Sequence, residues 1–303
     1  MATATAQATG VSIRNLLIAT DFSRLSSDVL CAGMNFCQAL GAHASVLYVL
    51  PQKEFALAGF EAYAAARDVA QRDMQQLDEH LRTRYARQQG KDYELLVTEG
   101  DVAECIFEVA RAKHIDMIVV GTHGRKGLTK ALVGSVAEKI FRHARIPVLT
   151  VGPNARQIPP SGLKRLLVPV DFTPASQASA RYACAFARQY DAELTLINVV
   201  DKPGHGSLAD LECMRRGVEQ SLAELVHGEA DPRPVKVIGK VGNVVPTLLD
   251  AASEMAADLM VVGVHNYPAL LDQFRQQPAY ELVRLAPCPV LTLREPNSAQ
   301  RCD

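Results

Sequence analysis

The sequence predicts an α/β fold of two tandem, doubly wound parallel five-stranded sheets, and three observations carry that prediction. The chain repeats itself once, each repeat alternates short apolar runs with amphipathic stretches, and a cluster of proline, glycine and asparagine separates the repeats. LLIATDFS at 16–23 matches LLVPVDFT at 166–173. IVVG ending at Gly121 and PVLTV ending at Val151 match MVVG ending at Gly263 and PVLTL ending at Leu293. The early matches are offset by 150 residues and the late ones by 142, so the first half carries eight more residues, in the alanine-rich stretch around 55–67.

In the first half, strands are expected at 15–20, 44–50, 93–98, 116–120 and 147–151. These runs are short and rich in Val, Ile and Leu, the pattern of parallel strands buried on both faces. Helices lie between them. Met74, Leu77, Leu81 and Tyr85 recur at helical spacing, as do Leu208, Leu211, Met214, Val218, Leu222 and Leu225, giving each segment one core-facing stripe. After the fourth strand comes a long loop, then a helix and the last strand, and the second half repeats this order. GPNARQIPPSG at 152–162 is the expected linker, since Pro159 and Pro160 cannot continue a helix. The domains are therefore placed at 11–152 and 163–294. Ligands of such sheets sit outside the carboxyl ends of the strands.

Composition bounds the function. A chain of 303 residues exceeds the ~100–200 of a single domain, and 48% apolar with 21% charged residues is ordinary globular usage. The net charge of −1 leaves no broad positive field for nucleic acid or an anionic membrane. Arg82, Arg84 and Arg87 do cluster, but Asp73, Asp78 and Glu79 lie nearby, as on a solvated helix face. MATATAQATG lacks the basic and apolar regions of an export signal, and nowhere do about 18 apolar residues run together, so a cytoplasmic protein without membrane contact is expected. The seven cysteines show no CxxC spacing and read as reduced thiols, mostly small core hydrophobes.

The most informative segment is GTHGRKGLTKALVGSVAEKI at 121–140. Gly121, Gly124, Gly134 and Ser135 follow the pattern glycine, two residues, glycine, nine residues, glycine, serine, between a strand and a helix. Glycines let backbone amides approach an anion closely, and a helix start adds its positive end. Ser135 through Glu138 spell a capping box, and Arg125, Lys126 and Lys130 add local charge. The plainer alternative is that the glycines shape a turn and Ser135 caps its helix. His123 either donates to a phosphate or faces water.

The glycine pattern, the aspartate after the first strand and the PVLTV last strand together resemble the universal stress protein family in its ATP-binding type, over nearly the whole chain, twice. The resemblance implies a Rossmann-like fold related to the adenine nucleotide alpha hydrolases, its two halves packed as an internal pseudo-dimer with the last strands paired across them. It places Ala19, Thr20 and Asp21 beside adenine and ribose, the Val49 backbone against adenine, and Gly121, His123, Gly124, Gly134, Ser135 and Val136 around ribose and phosphates, with Arg125 adding charge. Asp21 either reaches the ribose or a magnesium ion that accompanies ATP, or caps its helix, as Asp171 would. Ala19 stands where the family often has proline, and Val102 is a second such position.

The second half lacks the loop. Without a gap, Asn266 falls opposite Gly124, Gln276 opposite Gly134 and Gln277 opposite Ser135, and Pro278 removes an amide near the helix start. ATP is therefore expected in the first half alone. The resemblance implies a stress-response regulator that works through ligand-dependent conformation or partner binding, with a homodimer and an unidentified protein partner as companions. A slow ATPase or self-phosphorylating enzyme, and a scaffold without ligand, are the alternatives. No Walker A loop, kinase signature or nucleophile elbow is present.

Overall fold

A computed structural model describes residues 11–52, 59–122, 133–159, 161–201, 208–227, 234–265 and 277–294. The first half runs β1 (Asn15–Thr20), α1 (Arg24–Leu40), β2 (His43–Leu50), α2 (Gly59–Tyr85), β3 (Tyr93–Glu99), α3 (Val102–Ala112), β4 (Met117–Gly121), α4 (Ser135–His143) and β5 (Val148–Val151). The second runs β6 (Arg165–Pro169), α5 (Pro174–Tyr190), β7 (Glu193–Val200), α6 (Leu208–Val226), β8 (Lys236–Val241), α7 (Val244–Glu254), β9 (Leu259–Val264), α8 (Pro278–Leu285) and β10 (Val290–Arg294). The first-half strands fall within one residue of the positions their apolar runs predict. The extra length of the first half lies in α2, which has 27 residues against 19 in α6.

All ten strands join one sheet in the order β3-β2-β1-β4-β5-β10-β9-β6-β7-β8. Within each half every pairing is parallel, and the halves meet where β5 and β10 pair antiparallel, with Leu149 opposite Leu291. Each half is doubly wound. From β1 the chain moves to β2 and β3 on one side, then returns to place β4 on the other, so the order reverses between β1 and β4. That reversal is where a crevice opens at the carboxyl ends.

The period-2 alternation of the strands divides the core between two faces. On one face, Leu16, Ile18 and Val46 share a single apolar cluster with Leu166, Val168 and Leu196, and Phe36 of α1 stacks on Phe186 of α5 with centroids 6.0 Å apart. On the other, the halves keep separate clusters, Leu17, Leu47 and Ile118 in the first and Leu167, Met260 and Val262 in the second. Helix α4 spans them. Its Ile140 belongs to the first-half cluster, while Ala137 and Phe141 belong to that of the second.

The expected linker is strapped down on both sides. Asn35 of α1 donates to the Ile158 carbonyl at 2.6 Å, Gln157 donates to Asp28 at 2.9 Å, and Arg156 N–H donates to the Pro287 carbonyl at 2.9 Å. One expectation about the core fails. Met214, expected in the apolar stripe of α6, is exposed, and among the described members of that stripe Leu222 is the one that is fully buried. An edge helix over β8 meets the sheet with a narrower face than its full apolar stripe.

Candidate functional site

The turn from β1 into α1 is built by hydroxyls. Ser26 Oγ, buried, lies 2.8 Å from Thr20 Oγ1 and accepts the Asp21 N–H at 2.9 Å. Phe22 takes a left-handed φ of 58°, which lets the chain reverse within one residue, and its ring lies against Tyr48 at 5.0 Å. The cap of α1 is Ser23, whose Oγ accepts from Ser26 N–H. Asp21 is therefore not the N-cap; its carboxylate accepts the Ser23 N–H at 3.0 Å, an aspartate turn placed ahead of the cap. The second half repeats this. Thr173 caps α5 and Asp171 accepts from the Thr173 amide at 3.1 Å. Burial raises the Asp171 carboxyl, but the hydrogen bonds from Ser176 and Thr173 outweigh it and leave its pKa below the usual value.

The start of α4 differs from the sequence expectation by one residue. Gly134, with φ −60° and ψ 148°, is the N-cap, and Ser135 is the first helical residue, so the capping box read at 135–138 is not formed with Ser135 as cap. Two anchors set this frame: the Gly134 N–H donates to the Thr122 carbonyl at 2.6 Å, and the Val133 N–H donates to Tyr280 Oη at 3.2 Å. A glycine cap supplies no side-chain acceptor, so it leaves the first amides of α4 to another partner. The helix in the second half begins on a Gln277 cap with Pro278 following. Gln277 takes the cap role one residue later in the repeat than Gly134 does, while the C-caps Ala144 and Ala286 keep the 142-residue offset, and proline takes away an amide.

These segments converge. Ala19 and Val136 pack on the cluster that contains Val49, so the end of β1, the end of β2 and the first turn of α4 meet on one face. Thr20 points to the opposite face, where its hydroxyl lies 2.8 Å from Ser26 Oγ. Gly121 ends β4, paired with Val151 of β5. His123, Gly124 and Arg125 lie outside the described residues, as do Asn266 and Gln276. Among the described residues no cluster of three or more His, Cys, Asp or Glu is disposed to hold a metal.

Sequence reasoning missed Ser26, Tyr280 and Arg294. Ser26 was legible, because the repeat places it opposite Ser176. Tyr280 and Arg294 belong to the second half and act on α4 of the first. Arg294 donates to the carbonyls of Phe141, Arg142 and Ala144 at 2.7, 3.0 and 3.1 Å, closing the carboxyl end of that helix with a cation. Burial lowers its pKa.

Against this geometry, the family model of the universal stress protein family matches residues 12–152 and again 162–294. The chain belongs to the universal stress protein family, with two tandem copies of its domain. A universal stress protein of Methanocaldococcus jannaschii is 30% identical over 140 residues, covering 46% of this chain and 81% of the relative. One of Mycobacterium tuberculosis is 28% identical over 189 residues, covering 59% of this chain, and the match spans 62% of that relative's length. In structure, a universal stress protein from Archaeoglobus fulgidus superposes with a TM-score of 0.68 at 20% identity, covering 92% of this chain and 98% of the other, which shows the shared fold.

Proposed function

We propose that the first half binds one adenine nucleotide, ATP, in the crevice between β1 and β4, and that the protein acts as a stress-response regulator whose conformation or partner surface depends on occupancy. The observation that carries this reading is the start of α4. A helix whose cap is glycine, entered from a glycine-patterned loop at the topological switch point, presents its first amides and its positive end where a phosphate would lie. In this reading Gly121, His123, Gly124, Arg125, Gly134, Ser135 and Val136 surround ribose and phosphates, and Ala19, Thr20, Asp21 and Val49 border the nucleoside. Magnesium fits only as a companion of the phosphates. Asp21 is the one carboxylate proposed here, and a magnesium ion held by a single carboxylate takes its other oxygens from phosphates and water.

The second half, with Gln277 as cap and Pro278 behind it, is assigned no nucleotide; its role is to complete the sheet and hold α4. The domain bounds 11–152 and 163–294 are part of this reading, and a homodimer of chains remains compatible with it. The test is to denature the purified protein by heat, clear it, and quantify released nucleotide by chromatography beside a Gly124→Asp, Gly134→Asp variant. One adenine nucleotide per chain, lost in the variant, is the expected result. Two per chain would overturn the assignment of the second half, and an empty protein that also fails to bind added ATP would overturn the nucleotide reading.

A further inference from the structure

At the opposite end of β1 from the crevice, roughly 17 Å away at ~3.3 Å per residue, lies a cavity of about 610 Å³. It is framed by the approach to β1, the α1–β2 turn and the loop before β3, and its far wall is Gln189 and Tyr190 at the end of α5, in the other half. That volume is within the range that holds small-molecule ligands.

Its charge is one-sided. Among the described residues that line it are Arg14, His43, Arg87 and Lys91, against the single carboxylate Asp92. Asp92 has one oxygen committed to the Gln88 N–H at 2.9 Å, in the turn that leads into β3. Among the described residues no side chain of Arg14, Arg87 or Lys91 forms an ion pair: Arg14 donates its Nε to Ser12 Oγ at 3.1 Å, with only its backbone N–H donating to Asp116 Oδ2 at 2.8 Å, and Arg87 donates to the Ala42 carbonyl at 3.4 Å. The ten residues that precede the site in the chain contain no aspartate or glutamate, so they bring no side-chain countercharge. In a protein of net charge −1, two guanidinium groups and an ammonium around one cavity are a local concentration of unmet positive charge.

We infer that this cavity is a second ligand site, for a small organic molecule carrying a multivalent phosphate. The arginines supply planar forks and the lysine a point charge, the set that grips phosphate oxygens, while Leu40 and Tyr190 offer an apolar wall for the rest of the molecule. Because Tyr190 comes from the second half, a ligand here touches both halves. The site shares no residue with the proposed nucleotide crevice, and the inference stands or falls apart from that reading.

The experiment is calorimetric titration of inorganic pyrophosphate into three forms of the full chain: wild type, Gly134→Asp, and the double reversal Arg14→Glu, Lys91→Glu. Gly134→Asp is expected to keep a one-to-one pyrophosphate site, and the double reversal to weaken that site by about a hundredfold or more, since two cationic donors to the phosphate become repelling carboxylates. Arg14 and Lys91 are exposed, so an unchanged melting temperature is expected; should the reversal lower it, Arg14→Gln, Lys91→Gln reads the same loss without reversed charge. No pyrophosphate binding to Gly134→Asp, or binding that survives the double reversal, overturns the site. Citrate binding more tightly than pyrophosphate overturns the phosphate class.

Discussion

Replacing Gly134 by aspartate should separate the stability of α4 from the binding assigned to it. The position has φ −60° and ψ 148°, open to any L-residue, and it is the N-cap, where aspartate is among the preferred side chains. Aspartate there accepts from the amides of the first helical turn and puts a negative charge on the positive end of the helix. Against glycine this gains a few tenths of a kcal/mol, so the melting temperature should hold or rise slightly. Binding should move the other way. Two amide bonds to a phosphate, at ~1.5–3 kcal/mol each, are taken by the new carboxylate, which also repels the ligand, so a loss of at least ~3 kcal/mol, more than about a hundredfold in Kd, follows. Titration of ATP into both proteins, with thermal melts of the same samples, reads both quantities. A folded variant that binds ATP like wild type would refute the placement of phosphate at this helix.

Arg294→Ala should lower the melting temperature by several degrees, since it strips the cation from three carbonyls at the end of α4, at a cost of about 2–4 kcal/mol; Arg294→Lys, with one ammonium in place of a fork, should recover only part. Gly263→Ala should be among the most damaging changes in the second half, because its Cβ would meet the Ala175 carbonyl oxygen and approach the Ser176 nitrogen to 2.7 Å, a backbone clash measurable by denaturant unfolding. In thiol titration of the native protein, Cys213 should react while Cys37 and Cys288, whose pKa values burial pushes up to about 12, should react only after unfolding. Asp171 has a lowered folded pKa, so its stabilisation is present above the usual carboxylate value and disappears as pH falls through the folded value; Asp171→Asn should therefore flatten the acid limb of a stability-against-pH curve.

The strands were legible because apolar runs buried on both faces leave few other readings, and the repeat fixed their order twice. Pairing of β5 with β10 was legible only through family resemblance, since an edge strand does not encode its neighbour across a linker. The start of α4 was misread by one residue. SVAE is a good capping box in isolation, but the Thr122 carbonyl and Tyr280 hydroxyl hold the two preceding amides and set the helix frame from outside it. The cap alternative held open for the aspartates fails for a related reason: a serine or threonine two residues on takes that role, and the left-handed Phe22 and Phe172 place it at the helix end. Gly263 has a packing reason that its place in the repeat does not disclose, the close approach of α5 to β9. The cationic cavity was invisible because its walls come from four separate stretches of chain, one of them in the other half.

Joining β5 to β10 within one chain also changes what dilution can do. Two separate chains that met through such an edge would part as their concentration fell, but here a strapped connection of about ten residues holds the partner edge at an effective concentration on the order of millimolar or above. The central seam is a unimolecular contact. Among the described strands β3 and β8 are the outer edges, and any larger assembly governed by protein concentration must form elsewhere than at that seam.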